Sequence, residues 1–184
     1  MASYKFCSKN TLEHFSLHDC ICSRMFFDGS NIVLDMEWME VLPSHQNNPY
    51  SKAHQSKEGR IVLERPSLDK CTLLPWGEKE TQSRELTLDE IDVRNFEVLR
   101  FDEEADQDGY KLMLYGEMDN GQGNAKYAFI DMIVHYSSSE DMFNELAGES
   151  WFERKISAHE IHLDTGSQET LSRQSGEMGR STMF

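Results

Sequence analysis

Apolar residues recur at every second position along much of this chain. In residues 15–42, FSLHDCICSRMFFDGSNIVLDMEWMEVL, the side chains of Ile21, Ser23, Met25 and Phe27 share one face of an extended strand. Ile32, Leu34, Met36 and Trp38 repeat the period after Asp28-Gly29-Ser30-Asn31. Side chains alternate between faces along a strand, and Asp, Gly, Ser and Asn are the residues of tight turns. A turn closing on Gly29-Ser30 sets Phe27 opposite Ile32, Met25 opposite Leu34, Ser23 opposite Met36 and Ile21 opposite Trp38. That single register gathers both apolar sets on one face and predicts a hairpin. Asp35 and Glu37 then fall on the other face with Cys20, Cys22 and Arg24.

Further extended segments are predicted at 60–65 (RIVLER), in part of 68–76, at 96–101 (FEVLRF), at 110–118 (YKLMLYGEM) and at 125–136 (AKYAFIDMIVHY). Pro66 closes the first, because proline has no N–H to give to a ladder. Both faces of 125–136 are largely apolar, which predicts a central strand covered at least in part on both sides. Residues 43–59 are polar and rich in turn formers, and read as a long loop. Thr87-Leu88-Asp89-Glu90 has the spacing of a capping box and predicts about one helical turn. Residues 138–147 admit helix or strand. Met142, Asn144 and Leu146 alternate poorly, which favours a short helix capped at Ser138-Ser139-Glu140-Asp141 and stopped by Gly148.

Five or six strands with short connections favour antiparallel neighbours. The expected fold is mainly β, with α+β as the alternative. It is a curved antiparallel sheet, built as a sandwich or a partly closed barrel, with one or two short helices. One domain is expected over 1–164, with Trp151 and Phe152 docked on its core. The polar segment 165–184, rich in Ser, Gly and Gln, is expected to be a disordered tail.

Charge narrows the choice of partner. The 184 residues carry 33 Asp and Glu against 18 Lys and Arg, a net of −15. Residues 101–150 hold twelve acids against Lys111 and Lys126, a net of −10. Nucleic-acid binding needs Lys and Arg on the phosphates, so nucleic acid and anionic membranes are not expected partners. A basic protein would be drawn to this field. The turn expected at 102–109 supplies the partner-binding candidates Asp102, Glu103, Glu104, Asp106 and Asp108. No apolar run approaches the roughly 20 residues of a membrane span. The segment MASYKFCSKN lacks the apolar core of a signal peptide, so the expected location is the cytoplasm, where Cys7, Cys20, Cys22 and Cys71 stay thiols.

Candidate chemistry is sparse. His18-Asp19-Cys20 has the residue types of an activated thiol. Strand alternation would keep Asp19 away from its two neighbours, so His18-Asp19 is expected to anchor the start of a strand. Asp131 interrupts an apolar strand and needs a partner, such as His135 or an arginine across the sheet. His18, Asp19, Asp131 and His135 form the alternative site, for a ligand or a hydrolytic reaction on the sheet face. Cys20-x-Cys22 lacks a second cysteine pair for zinc. His159-Glu160-Ile161-His162 with Asp164 is one residue short of the HExxH spacing. Glu104 to Gly109 departs from a calcium loop by its Glu at the first position and Tyr115 at the twelfth. No catalytic residue, metal or cofactor is assigned.

The run FSLHDCICSRMFFDGSNIVLDMEW, with ELAGESWFE further on, resembles small bacterial β-rich proteins. Some of these look like immunity proteins encoded beside polymorphic or contact-dependent toxins. The resemblance spans residues 14–42 and 141–153 and transfers no functional residue. It implies a non-catalytic protein that binds and neutralises a toxin. The expected function is thus a non-catalytic interaction protein with a basic protein partner.

Overall fold

A computed structural model of the chain describes residues 4–76, 82–118 and 127–150. Their strands are β1 (Phe6–Lys9), β2 (Phe15–Ser16), β3 (Ile21–Phe27), β4 (Asn31–Met36), β5 (Glu40–Val41), β6 (His54–Ser56), β7 (Gly59–Glu64), β8 (Ser67–Leu74), β9 (Arg84–Glu85), β10 (Asp92–Asp106), β11 (Gly109–Met118), β12 (Phe129–Tyr136), β13 (Ser138–Phe143) and β14 (Leu146–Glu149). Two single 3-10 turns, Leu12–His14 and Leu88–Glu90, are the helical elements among the described residues. No helix among them is long and apolar enough to cross a membrane.

The fold is mainly β and sandwich-like. One antiparallel sheet runs in the order β1-β13-β7-β4-β3-β10-β11-β12-β8-β9, and a small one in the order β14-β6-β5-β2. The large sheet keeps two edges, β1 and β9, and does not close into a barrel. Its two halves join through the β3–β10 pair and, at the other side, through a corner. There the chain passes from β7 to β8 through Arg65-Pro66 and from β12 to β13 through Ser137. Arg65 takes a φ of +50°, the Ser137 N–H donates to Glu64 O at 3.0 Å, and Arg65 Nε donates to Ser137 Oγ at 3.0 Å. Ile32, Leu34, Ile61, Leu63, Phe96, Leu112, Leu114, Ile130 and Met132 fill the space between the layers, with Met39, Val41 and Phe15 added from around the small sheet. Each large apolar side chain fully withdrawn from water stabilises the fold by about 1.5–3 kcal/mol.

The first hairpin forms as its pattern predicts. Asp28 Oδ1 accepts from the N–H groups of Ser30 (2.9 Å) and Asn31 (2.7 Å), and Gly29 takes the φ of +96° that the turn requires. Phe27 faces Ile32 and Met25 faces Leu34. Beyond them the expected register fails. A bulge between Cys22 and Arg24 sets Cys22, not Ser23, opposite Met36. The extra residue turns the start of β3 over, so Cys20 and Cys22 lie fully inside the core rather than on the outer face with Arg24. Burial pushes both thiols well above their ordinary range and that of Cys71 up to about 12, which leaves them inert.

Three other expectations change. Residues 138–147 hold β13 and the start of β14 around a bend at Asn144-Glu145, not a helix: Ser139, Asp141 and Phe143 alternate inward along β13. The loop expected at 43–59 contains β6 and is pinned by Asn48, whose amide donates to Val41 O (2.9 Å) and Lys52 O (3.0 Å). The acidic turn expected at 102–109 is mostly strand. β10 runs through Asp106, and Gln107-Asp108 alone turn the chain into β11. A strand pair cannot wrap a cation as a calcium loop does, which removes that reading of 104–109. The capping box does form, with the N–H and hydroxyl of Thr87 both donating to Glu90 Oε2 at 2.9 Å. Lys126, Trp151, Phe152, the His159–Asp164 cluster and the expected tail lie outside the described residues.

Candidate functional site

The turn at Gln107-Asp108 lays the tip of the β10–β11 hairpin against the corner of the sheet. Gly109 makes this approach workable. Its φ is +154°, and a Cβ there would run into the Tyr136 carbonyl oxygen. Asp106, Asp108, Gly109, Tyr110, His135 and Arg65 are among the residues lining an open depression of about 290 Å³ at this junction. His135, on the outer face of β12, is held between two carboxylates. Its Nδ1 lies 2.8 Å from Asp106 Oδ2 and its Nε2 lies 3.0 Å from Asp69 Oδ2. Asp69 is the extra residue at a β8 bulge, where the register to β12 shifts between Ile133 and Val134. The Gln107 N–H, with His135 beside it, holds the Asp106 carboxyl below its ordinary range.

The five partner-binding candidates separate by strand alternation. Asp102, Glu104, Asp106 and Asp108 are exposed on the outer side and tip of the hairpin. Asp102 pairs with Arg100 at 2.5 Å, and Glu104 stands opposite Lys111. Glu103 points to the inner side, where it accepts the Tyr136 hydroxyl. Burial pushes its carboxyl above the ordinary range.

The alternative set is not gathered. His18 and Asp19 sit in a turn rather than on a strand, so alternation does not part them and their side chains meet at 2.7 Å. Asp19 takes a φ of +65° and its N–H donates to Val98 O at 2.8 Å, tying the start of β3 to β10. Asp131 pairs with Lys70 Nζ at 2.6 Å, a lysine in place of the expected histidine or arginine. His135 joins Asp106 instead. Both its ring nitrogens face carboxylates. The same two carboxylates lie on opposite sides of the ring and do not converge as metal ligands. Among the described residues no group of three His, Cys, Asp or Glu side chains could hold a metal.

A second polar constellation, missed in the sequence, lies inside the fold. Asp141 is fully buried and accepts from the hydroxyls of Ser8 (2.7 Å) and Thr11 (2.6 Å). His45 Nε2 lies 3.1 Å from Ser8 Oγ and 3.5 Å from Asp141 Oδ2. The Asn47 N–H donates to His45 Nδ1 at 3.1 Å, which assigns the ring proton to Nε2. Ser, His and Asp match a hydrolytic triad in residue type only. Here serine gives its proton directly to the acid, histidine donates toward serine, and Ser8 is 5% exposed. The cluster's role is to join β1 and the 42–48 loop to β13. Burial raises the Asp141 carboxyl, but the bonds from His45, Thr11 and Ser8 outweigh it and hold the group below its ordinary range.

No protein-family model, curated protein or solved structure matches the chain.

Proposed function

We propose that this chain is a cytosolic, non-catalytic interaction protein that binds a basic protein through the outer side of the β10–β11 hairpin. The observation that carries the reading is the row of exposed carboxylates at Asp102, Glu104 and Asp106, continued by Asp108 at the tip. Alternate residues of a strand stand about 6.8 Å apart on one face, so the row is a fixed array rather than a loose acidic loop. Such an array steers a cationic partner into contact and occludes its basic surface. In the form that the resemblance implies, the partner is a basic toxin and the chain is its immunity protein. The hydrolytic alternative gains no support, because His18-Asp19, Asp131 and His135 have separate partners.

The test is kinetic. A partner captured from the native host and purified should associate about tenfold more slowly with the variant D102N/E104Q/D106N/D108N at low salt. The slope of its rate against ionic strength should flatten. Glu103 is left intact because it supports Tyr136. Association at the wild-type rate, with the wild-type salt dependence, would end the steering account.

A further inference from the structure

The outer face that carries these acids continues across β11 and β12 into a stack of aromatic rings. Tyr115 stacks on Phe129 with centroids 5.6 Å apart and planes 13° apart. Trp76, two residues beyond β8, lies against Phe129 at 5.5 Å and 46°. Trp76 is 56% exposed, and it and Tyr50 are the two exposed large apolar side chains among the described residues. A single exposed ring is ordinary, but contiguous aromatic surface marks an interaction site, and such rings serve as anchors in interfaces.

Two carboxylates border the stack. Glu117 stands opposite Phe129 across β11–β12 and opposite Glu97 across β10–β11. Directly opposed residues share a face, and like charges in that arrangement repel. Among the described residues no hydrogen bond or ion pair relieves either glutamate. Among the described residues two nearby cations are engaged elsewhere: Arg100 Nε is on Asp102 and its Nη2 lies 3.9 Å from Met113 Sδ, while Lys70 is on Asp131. Among the described residues the face therefore presents flat ring surface beside uncompensated negative charge.

We infer that the Tyr115–Phe129–Trp76 stack with the Glu97–Glu117 pair is a docking surface for an arginine side chain of the partner. The inference rests on the reading of that partner as basic. A guanidinium lays its plane on an aromatic face while its edge N–H groups bond carboxylates. A lysine ammonium offers the charge without the plane. Charge complementarity names the occupant, and the ring surface selects arginine over lysine.

Two heptapeptides test this, one alternating glycine with three arginines and its lysine counterpart, titrated by fluorescence anisotropy at 0.15 M salt. The arginine peptide should bind about tenfold more tightly, in line with loss of one aromatic anchor. Trp76→Ala should bring the two affinities within about twofold. Because Trp76 is mostly exposed, that variant keeps its core. E97Q/E117Q should also remove the preference, and should fold at least as well because it relieves a repulsion. The variant D102N/E104Q/D106N/D108N should weaken both peptides in parallel and keep their ratio. Equal affinities in the wild type, or a preference that survives both Trp76→Ala and E97Q/E117Q, overturns the arginine seat while leaving an acidic binder. Failure of both peptides to bind overturns the basic-partner reading and the seat with it.

Discussion

Asp141→Ala is expected to cost about 3–5 kcal/mol, the range for removing one member of a buried charged network. That is a large share of the stability of an ordinary domain, about 5–15 kcal/mol. The carboxylate is fully buried, and it is where the Ser8 and Thr11 hydroxyls and the His45 side chain meet. Removing it leaves buried donors without an acceptor, each at about 1–3 kcal/mol, and releases β1 and the 42–48 loop from β13. Urea denaturation should show the midpoint falling with little change in slope. The effect also has a pH signature. Asp141 is held below its ordinary range in the fold, so the unfolded chain takes up this proton first as pH falls. Its stabilisation is therefore complete above about pH 4, the unfolded carboxylate value, and is lost as pH falls through the lower folded value. Asp141→Asn should abolish that part of the acid dependence. A variant as stable as wild type at neutral pH would show that the network is not a keystone of the fold.

Gly109→Ala should be the second most damaging change, at about 2–5 kcal/mol from backbone strain together with overpacking. A φ of +154° is glycine territory. The added Cβ would meet the Tyr136 carbonyl oxygen and come within 3.0 Å of Ser137 Cα. Both obstacles are backbone and cannot rotate aside, so the hairpin tip must lift from the corner and carry Asp106 away from His135. Two other glycines separate the causes. Gly29 has a φ of +96° with nothing within 4 Å of a new Cβ, so Gly29→Ala should cost only strain, about 1–2 kcal/mol. Gly148 has open space and no positive φ, and Gly148→Ala should change stability by less than about 0.5 kcal/mol. Thermal denaturation of the three variants checks the order. Gly109→Ala no worse than Gly29→Ala would mean that the tip does not rest on the corner.

Much of the sheet is legible in the sequence because its strands alternate apolar and polar residues and its turns carry Asp, Gly and Asn. The β3–β4 turn and its first pairs follow from that pattern alone. The same pattern says nothing of a bulge, which adds one residue without marking it, and so strict alternation puts Cys22 on the wrong face. β13 is obscured for a different reason. Its inward positions include Ser139 and Asp141, both polar. The Ser139 N–H donates to Asn10 Oδ1 and Asp141 accepts from Ser8 Oγ, both more than 120 residues away in the chain. Alternation is present but written in polar letters, and Ser-Ser-Glu-Asp then looks like a helix cap. Charge misleads in the same way at β10, where Asp102 to Asp106 reads as a loop although Glu103 faces inward.

The candidate site is legible only in its parts. His135 enters the sequence only as a candidate partner for Asp131, whereas the acids of 102–108 stand out in it. Their meeting does not, because Asp69, Asp106 and His135 come from three strands and are brought together by a bulge and a glycine contact. The buried His45 lies in a stretch whose polarity predicts exposure. The aromatic stack joins residues 76, 115 and 129 across two strand pairings and the end of β8.

The central claim is that the outer side of β10–β11–β12 is the binding face, and hydroxyl-radical footprinting of the complex with the purified partner tests it most directly. Trp76 and Tyr50 are similarly exposed, at 56% and 53%. Trp76 borders the acidic outer face, whereas Tyr50 stacks on His54 of the small sheet at 4.1 Å. Partner binding should protect Trp76 and Tyr115 from oxidation and leave Tyr50 as reactive as in the free protein. Protection of Tyr50 with Trp76 unchanged would contradict the account.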